Sequence, residues 1–205
     1  MEMTTPAAPA VPVAMPRPRL QRSGLLREII ETIILIVLVY TFVNLATSRF
    51  FIQGPSMQPN FHEGQFLIVS RLHYMLGEPS HGDIVVFDAP GDDNRRDNPL
   101  LIKRLIGLPG DHIQIANSEV FVNGVKLNES YIAEPEFRCA TYCDLVLGEN
   151  EFFMMGDNRN DSNDSRAFGP VTRDRIVGEA IVRYWPLDSI GLVTHLAYPQ
   201  QAVES

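Results

Sequence analysis

The sequence predicts a mostly β protein, an antiparallel β-sheet domain carried behind one N-terminal transmembrane helix. Three observations carry this. The run from Leu25 to Phe51 (LLREIIETIILIVLVYTFVNLATSRFF) holds no formal charge between Thr32 and Ala46. Beyond it, short apolar or alternating runs recur, each bounded by Gly, Pro, Asn and Asp, with few helical periods. The charge also divides: residues 1–46 hold four Arg and three Glu (net +1), and residues 47–205 hold 13 basic and 22 acidic groups (net −9).

Composition removes several functions. At 205 residues and 45% hydrophobic, the chain suits one folded domain with appendages. A formal net charge of −8 and a pI near 5.1 exclude nucleic acid as the main partner, because phosphate binding needs clustered Lys and Arg. Two cysteines make neither a disulfide-rich scaffold nor a four-thiolate zinc site. The basic residues are fifteen Arg and only two Lys, Lys103 and Lys126.

In order along the chain, residues 1–24 are rich in Pro and Ala without a period, and are expected to be a disordered tail. Residues 25–48 are expected to form the anchor. The uncharged run falls short of the roughly 20 residues that cross a bilayer. Extension back to Ile29 takes in Glu31, whose carboxylate can sit at headgroup level. A buried core helix is the competing reading, whereas a cleaved signal peptide would start earlier and end on small residues. Arg17, Arg19, Arg22 and Arg27 precede the span and only Arg49 follows closely, so the positive-inside rule puts the N-terminus in the cytoplasm and the remainder outside. Residues 49–198 are expected to be the β domain. Its strands are read at Phe66–Val69, Ile84–Phe87, Leu100–Ile106, His112–Ile115, Val120–Val122, Phe152–Met155 and Ile176–Tyr184. Asn123-Gly124 between EVFV and VKL is the clearest hairpin, since a type I′ turn needs positive φ twice. Asp92–Pro99 reads as a loop and residues 199–205 as a tail.

Three clusters bear on chemistry. In Gln53-Gly54-Pro55-Ser56-Met57-Gln58-Pro59, Gly and two Pro fix the backbone around a serine; the segment reads either as a held hydroxyl or as a tight exit loop. In Leu100–Asp111, Lys103 interrupts an apolar strand, and alternation turns it away from Ile102 and Arg104. Its amine either reaches solvent or is desolvated, which lowers its pKa and frees it to act as a base; arginine could not do this. In Gly156–Pro170, Asp157, Arg159, Asp164 and Arg166 suggest an ion-pair network that fixes a loop. Calcium is disfavoured there, because the terminal Glu and helices of an EF-hand are missing. The five histidines show no metal-ligand spacing, and His81-Gly82-Asp83 occurs without a Gly-x-Ser-x-Gly elbow, so neither a metalloprotease nor a Ser-His-Asp enzyme is indicated.

Taken together, GPSMQP, HGDIVVF, IKRLIGLPGD and MGDNRNDSNDSRAFGPV, in that order behind an apolar anchor, resemble the bacterial type I signal peptidases over roughly Arg27–Pro186. The resemblance implies a membrane-bound serine endopeptidase that removes signal peptides from exported preproteins and needs no cofactor or metal. Its partners would be those preproteins and the bilayer, with the catalytic domain outside the cytoplasm. Ser56 would be the nucleophile, Lys103 the general base and Ser162 the residue orienting the lysine. Asp157, Arg104, Asp164 and Arg166 would support the site, with Asp164 and Arg166 paired. Met57 and Pro59 would shape the nucleophile loop, and Ile52, Gly54, Met57, Val86 and Ile102 would lie along the substrate. Some relatives carry a serine where this chain has Gly54, which leaves the oxyanion to backbone N–H groups. His81 stands where the family is commonly basic. Cys139 and Cys143 would form a small disulfide on the oxidising side, as some relatives have one nearby. Two other functions use the same residues differently. A membrane-anchored binding module would leave Ser56 and Lys103 incidental. A self-cleaving Ser–Lys protease of the phage-repressor type would require a DNA-binding helix-turn-helix before the β domain.

Overall fold

A computed structural model describes residues 22–91 and 99–194. The tail expected before residue 22, nearly all of the loop expected over 92–99 and the tail expected from 199 lie outside the described residues. The chain divides into two units after Thr41. Helix α1 (Arg22–Ala46) exposes Leu25, Leu35, Ile36 and Leu38, and an 18-residue window within residues 24–46 reaches a mean hydropathy of 2.3, so the helix is long and apolar enough to cross a membrane. An apolar surface on all sides is what a helix in water avoids. The helix ends at Ala46, two residues before the expected boundary, because Thr47–Phe51 is drawn into a strand.

The second unit is antiparallel β, as the sequence predicts. Strands β1 (Thr47–Phe51), β2 (Phe66–Ser70), β3 (Ile84–Asp88), β4 (Leu100–Gly107), β9 (Glu151–Met155), β10 (Val171–Thr172) and β11 (Ile176–Trp185) form one sheet in the order β1-β2-β11-β3-β4-β9-β10, with β12 (Gly191–Leu192) paired to β11. Strands β5 (His112–Ala116), β6 (Glu119–Val122), β7 (Val125–Lys126) and β8 (Asp144–Val146) form a smaller sheet in the order β7-β6-β5-β8. Asn123 (φ 52°) and Gly124 (φ 79°) make the expected hairpin turn, pairing Val122 with Val125. Two short helices, α2 (Leu72–Leu76) and α3 (Ser165–Phe168), were not foreseen, nor were β1, β8, β10 and β12. At two to five residues these elements have too few periods for a sequence pattern to register.

Register shifts on β11 at Ile176/Gly178, Ala180/Val182 and Arg183/Trp185, and on β4 at Leu105/Gly107, curl the large sheet. Its central strands β3, β4 and β9 are covered on both faces. On β3, Ile84 and Val86 enter a cluster with Ile52, Met57, Leu67 and Ile102, while Val85 and Phe87 enter another with Tyr74, Leu105 and Met154. On β9, Phe152 and Met154 join that second cluster, while Phe153 and Met155 pack with Ile106, Ile113 and Val120 beneath the small sheet. β4 therefore runs between three apolar clusters, and anything polar on it is desolvated.

Candidate active site

The serine loop is built on a buried anchor. Ile52 N–H donates to Gln65 O (2.9 Å), and Gly54 sits at φ +82°, a conformation that a residue with a side chain rarely adopts. Gln58 N–H closes a turn onto Pro55 O (3.0 Å), with Ser56 and Met57 at its centre. Met57 is fully buried among Ile52, Val86 and Ile102, so the loop cannot roll, and Ser56 is left half-buried at its crest. The Ser56 N–H is not engaged by any acceptor among the described residues.

Lys103 meets this serine from β4. Its Nζ donates to Ser56 Oγ (2.7 Å) and to Ile102 O (3.0 Å), and the residue is only 2% exposed. Burial pushes the Lys103 amine down from 10.5 to about 8; Asp164 and Asp157 draw it back up, and Arg166 draws it down. The reading of Lys103 as desolvated rather than reaching solvent is thus the one the geometry follows. Alternation in exposure is lost here, since Ile102, Lys103 and Arg104 are all buried.

The third cluster closes over the pair from β9 onward. Asp164 caps α3 by accepting from Arg166 N–H (3.2 Å), takes the Arg166 guanidinium bidentately (2.8 and 2.8 Å) and accepts from Gly156 N–H (2.9 Å). Burial alone would raise its carboxyl, but the hydrogen bonds and charge of Arg166, aided by Gly156 N–H and the Ser162 hydroxyl, hold it below the usual range. Asp157 does not pair within its own loop, as the network reading had it. Its partner is Arg104, which donates Nε and Nη2 to its two oxygens (2.8 and 2.7 Å) and Nη1 to Gly82 O (3.1 Å), with the guanidinium 4.0 Å from the Tyr131 ring centre. Arg159 instead grips Glu129 with both terminal nitrogens.

Ser162 lies beside the serine loop. A Cβ on Gly156 would come within 2.3 Å of Ser162 Oγ and 2.5 Å of Ser56 O, so Gly156, Ser162 and the Ser56 turn meet there. The hydrogen bond from Lys103 to Ser162 that the resemblance implies is not formed. Nζ is directed at Ser56 and Ile102, and the buried Ser162 Oγ makes no hydrogen bond of good geometry, although its dipole bears on Asp164.

Three contributors escaped the sequence reading. Asn158 donates its N–H to Ser56 O (3.0 Å) and its Nδ2 to Pro55 O (3.3 Å). Asn60 donates to Asp157 Oδ2 and Tyr131 O (2.8 Å each), and Glu129 holds Arg159. Asn158 was legible as part of a dense polar cluster, but nothing local marked its target; Asn60 and Glu129 lie in loops without pattern. His81 Nε2 stands 2.6 Å from Asp111 Oδ2, tying two turns together away from Ser56. Cys139 and Cys143 are bonded, with Cα atoms 5.7 Å apart. Among the described residues no three His, Cys, Asp or Glu side chains converge as metal ligands.

A half-buried hydroxyl, an amine whose pKa burial lowers to about 8 against it, and a free backbone N–H beside them are the parts of a covalent acyl-transfer site. Comparison with known proteins agrees in kind. The family described as "Signal peptidase, peptidase S26" matches residues 26–185. A probable signal peptidase I-2 from Synechocystis sp. is 38% identical over 180 residues, 87% of this chain and 79% of that protein. The signal peptidase I of Leptolyngbya laminosa is 37% identical over 196 residues, 91% of this chain and 92% of its own. A signal peptidase IB from Staphylococcus aureus is 32% identical over 181 residues, 80% and 92% respectively. On a match spanning α1 and nearly all of the β unit, the chain belongs to the signal peptidase family, peptidase S26.

Proposed function

We propose that this chain is a membrane-bound signal peptidase I whose nucleophile is Ser56 and whose general base is Lys103. The observation that carries the reading is the 2.7 Å contact between Lys103 Nζ and Ser56 Oγ in a site that lowers the amine to about 8. Neutral Nζ takes the Oγ proton as Oγ attacks the carbonyl carbon of the scissile bond. The C–N bond of the intermediate then breaks, the Lys103 ammonium passing its proton to the leaving amine. Oγ remains esterified to the signal peptide. Water, losing a proton to the same amine, attacks the ester, and Oγ leaves with that proton. The unengaged Ser56 N–H is suited to the oxyanion, since Gly54 supplies no side chain. Ser162 would accept the third ammonium proton when Lys103 is charged.

The substrate is a signal-peptide-bearing preprotein, held extended. Strand β9 pairs with β4 only from Arg104 onward, so among the described residues Leu100–Lys103 have β3 on one side and no strand on the other. A peptide can pair along that edge. Ile52, Val86 and Ile102 favour small apolar side chains near the cut. Helix α1 serves as the single span, with the N-terminus cytoplasmic. The test is cleavage of a model preprotein in detergent by wild type, Ser56→Ala and Lys103→Met. Both variants should lose at least about a thousandfold in kcat, and the wild-type rate should rise with pH to a plateau above about 8. Retained cleavage in either variant would overturn the assignment.

A further inference from the structure

A cavity of about 350 Å³, whose lining includes neither Ser56 nor Lys103, is lined by Arg104, Arg183, Asn60, Ser130, Thr194 and Leu192 among others. No acidic side chain lines it. The two guanidiniums differ. Arg104 is neutralised by Asp157 and stacked on Tyr131. Arg183 donates Nε to Ser189 O (2.6 Å) and Nη1 to Asn60 O (3.1 Å), both backbone acceptors, and no carboxylate pairs with it among the described residues. Its charge is therefore uncompensated and held in place, with exposed Ser130 and Thr194 beside it. A fixed arginine among neutral donors is the chemistry that takes an oxyanion, phosphate above all.

The surroundings select the source of that phosphate. The segment that turns back from β11 to β12 exposes Trp185, Leu187, Ile190 and Leu192, the last 82% accessible, and Leu192 belongs to both the cavity wall and this rim. On the same side of the register, Trp185 opposes Phe66, and Phe66 opposes Phe51. Phe51 is five residues past Ala46, at most about 17 Å of chain from the end of the apolar helix. An anion cavity rimmed by exposed apolar and aromatic side chains matches a lipid, with its headgroup inside and its acyl chains against the rim. A soluble phosphate would make no use of the rim.

We infer that the cavity beside Arg183 binds the phosphate group of an anionic phospholipid. The inference rests on the membrane-bound reading but not on Ser56 chemistry. Trp185 is the only tryptophan and stands two residues from Arg183, so its emission reports occupancy without any peptidase assay. The full chain in neutral-detergent micelles should give a saturable emission change with phosphatidylglycerol and none with phosphatidylcholine. Arg183→Gln should raise the half-saturating lipid fraction by about fivefold or more. Because Arg183 also holds two backbone carbonyls, Ser130→Glu is the second variant. It introduces a carboxylate at an exposed position, leaves those bonds intact, and should give the same shift. Equal responses to the two lipids, or an unchanged midpoint in Ser130→Glu, would overturn the inference. So would saturation by inorganic phosphate alone with no added effect of phosphatidylglycerol, which would assign the cavity to a soluble anion. Failure of cleavage with a normal lipid titration would count against the Ser–Lys mechanism only.

Discussion

The N–H of Asn158 donates to the carbonyl oxygen of Ser56 at 3.0 Å, while its side-chain amide reaches Pro55 O at 3.3 Å. Two consecutive carbonyls of the Ser56 turn are thus held by one residue from a segment about a hundred positions away. Asn158→Ala keeps the first bond and removes the second. Stability should fall by about 1 kcal/mol. Cleavage should fall by about tenfold or more in kcat with KM little changed, because a loosened turn misaims Oγ. Steady-state kinetics beside a thermal melt check both parts.

Lys103 costs the fold stability, and the sign of its pH dependence follows from the shift. The amine titrates near 8 when folded and near 10.5 when unfolded. Below 8 both states carry the proton and the full penalty of about 3 kcal/mol applies. Between 8 and 10.5 the unfolded chain binds more protons, so stability rises with pH and the penalty fades. Lys103→Met should therefore be more stable than wild type at pH 7 by up to about 3 kcal/mol, with the difference shrinking towards pH 10.5. Denaturant unfolding at the two pH values measures it.

Asp164 supports the site twice. Asp164→Asn leaves the buried Arg166 guanidinium without its counter-charge, and should destabilise by about 3 to 5 kcal/mol. It also removes the largest influence that raises the Lys103 amine. The alkaline rise in cleavage rate should then move to lower pH, a shift that damage to packing alone would not produce. A pH–rate profile of the soluble fraction of the variant tests the direction.

Gly156 is required by space rather than by backbone angle. A methyl there would stand 2.5 Å from Ser56 O and 2.3 Å from Ser162 Oγ, and the first of these is backbone that cannot swing aside. Gly156→Ala should cost about 1 to 3 kcal/mol and lower kcat by about a hundredfold. A crystal structure of the variant should show the Ser56 turn displaced from Lys103.

How much of this was legible in the sequence depended on range. The long strands β4 and β11 and the Asn123-Gly124 hairpin follow from period and turn chemistry that a few neighbouring residues specify. Ser56, Lys103 and the Asp164–Arg166 pair stood out because each breaks the character of its surroundings or repeats a family motif. Arg104 with Asp157, and Arg159 with Glu129, could not be paired from spacing, since partners 53 and 30 positions apart are chosen by sheet order and not by local pattern. Strand β1 was hidden for another reason. Thr47–Phe51 continues the apolar run of α1, and only its pairing with Phe66–Ser70 separates strand from helix.

In the proposed mode of substrate binding, the stretch of β4 from Leu100 to Lys103, with no strand on one side among the described residues, would set the grammar of recognition. Four residues of edge offer a bound chain only a few main-chain hydrogen bonds, and such bonds read the presence of a backbone without reading its letters. Selectivity would then fall to the side chains around Ser56 and to where the precursor is presented. One active centre of this design would process many unrelated exported chains, and would release the severed leader easily because so little would hold it.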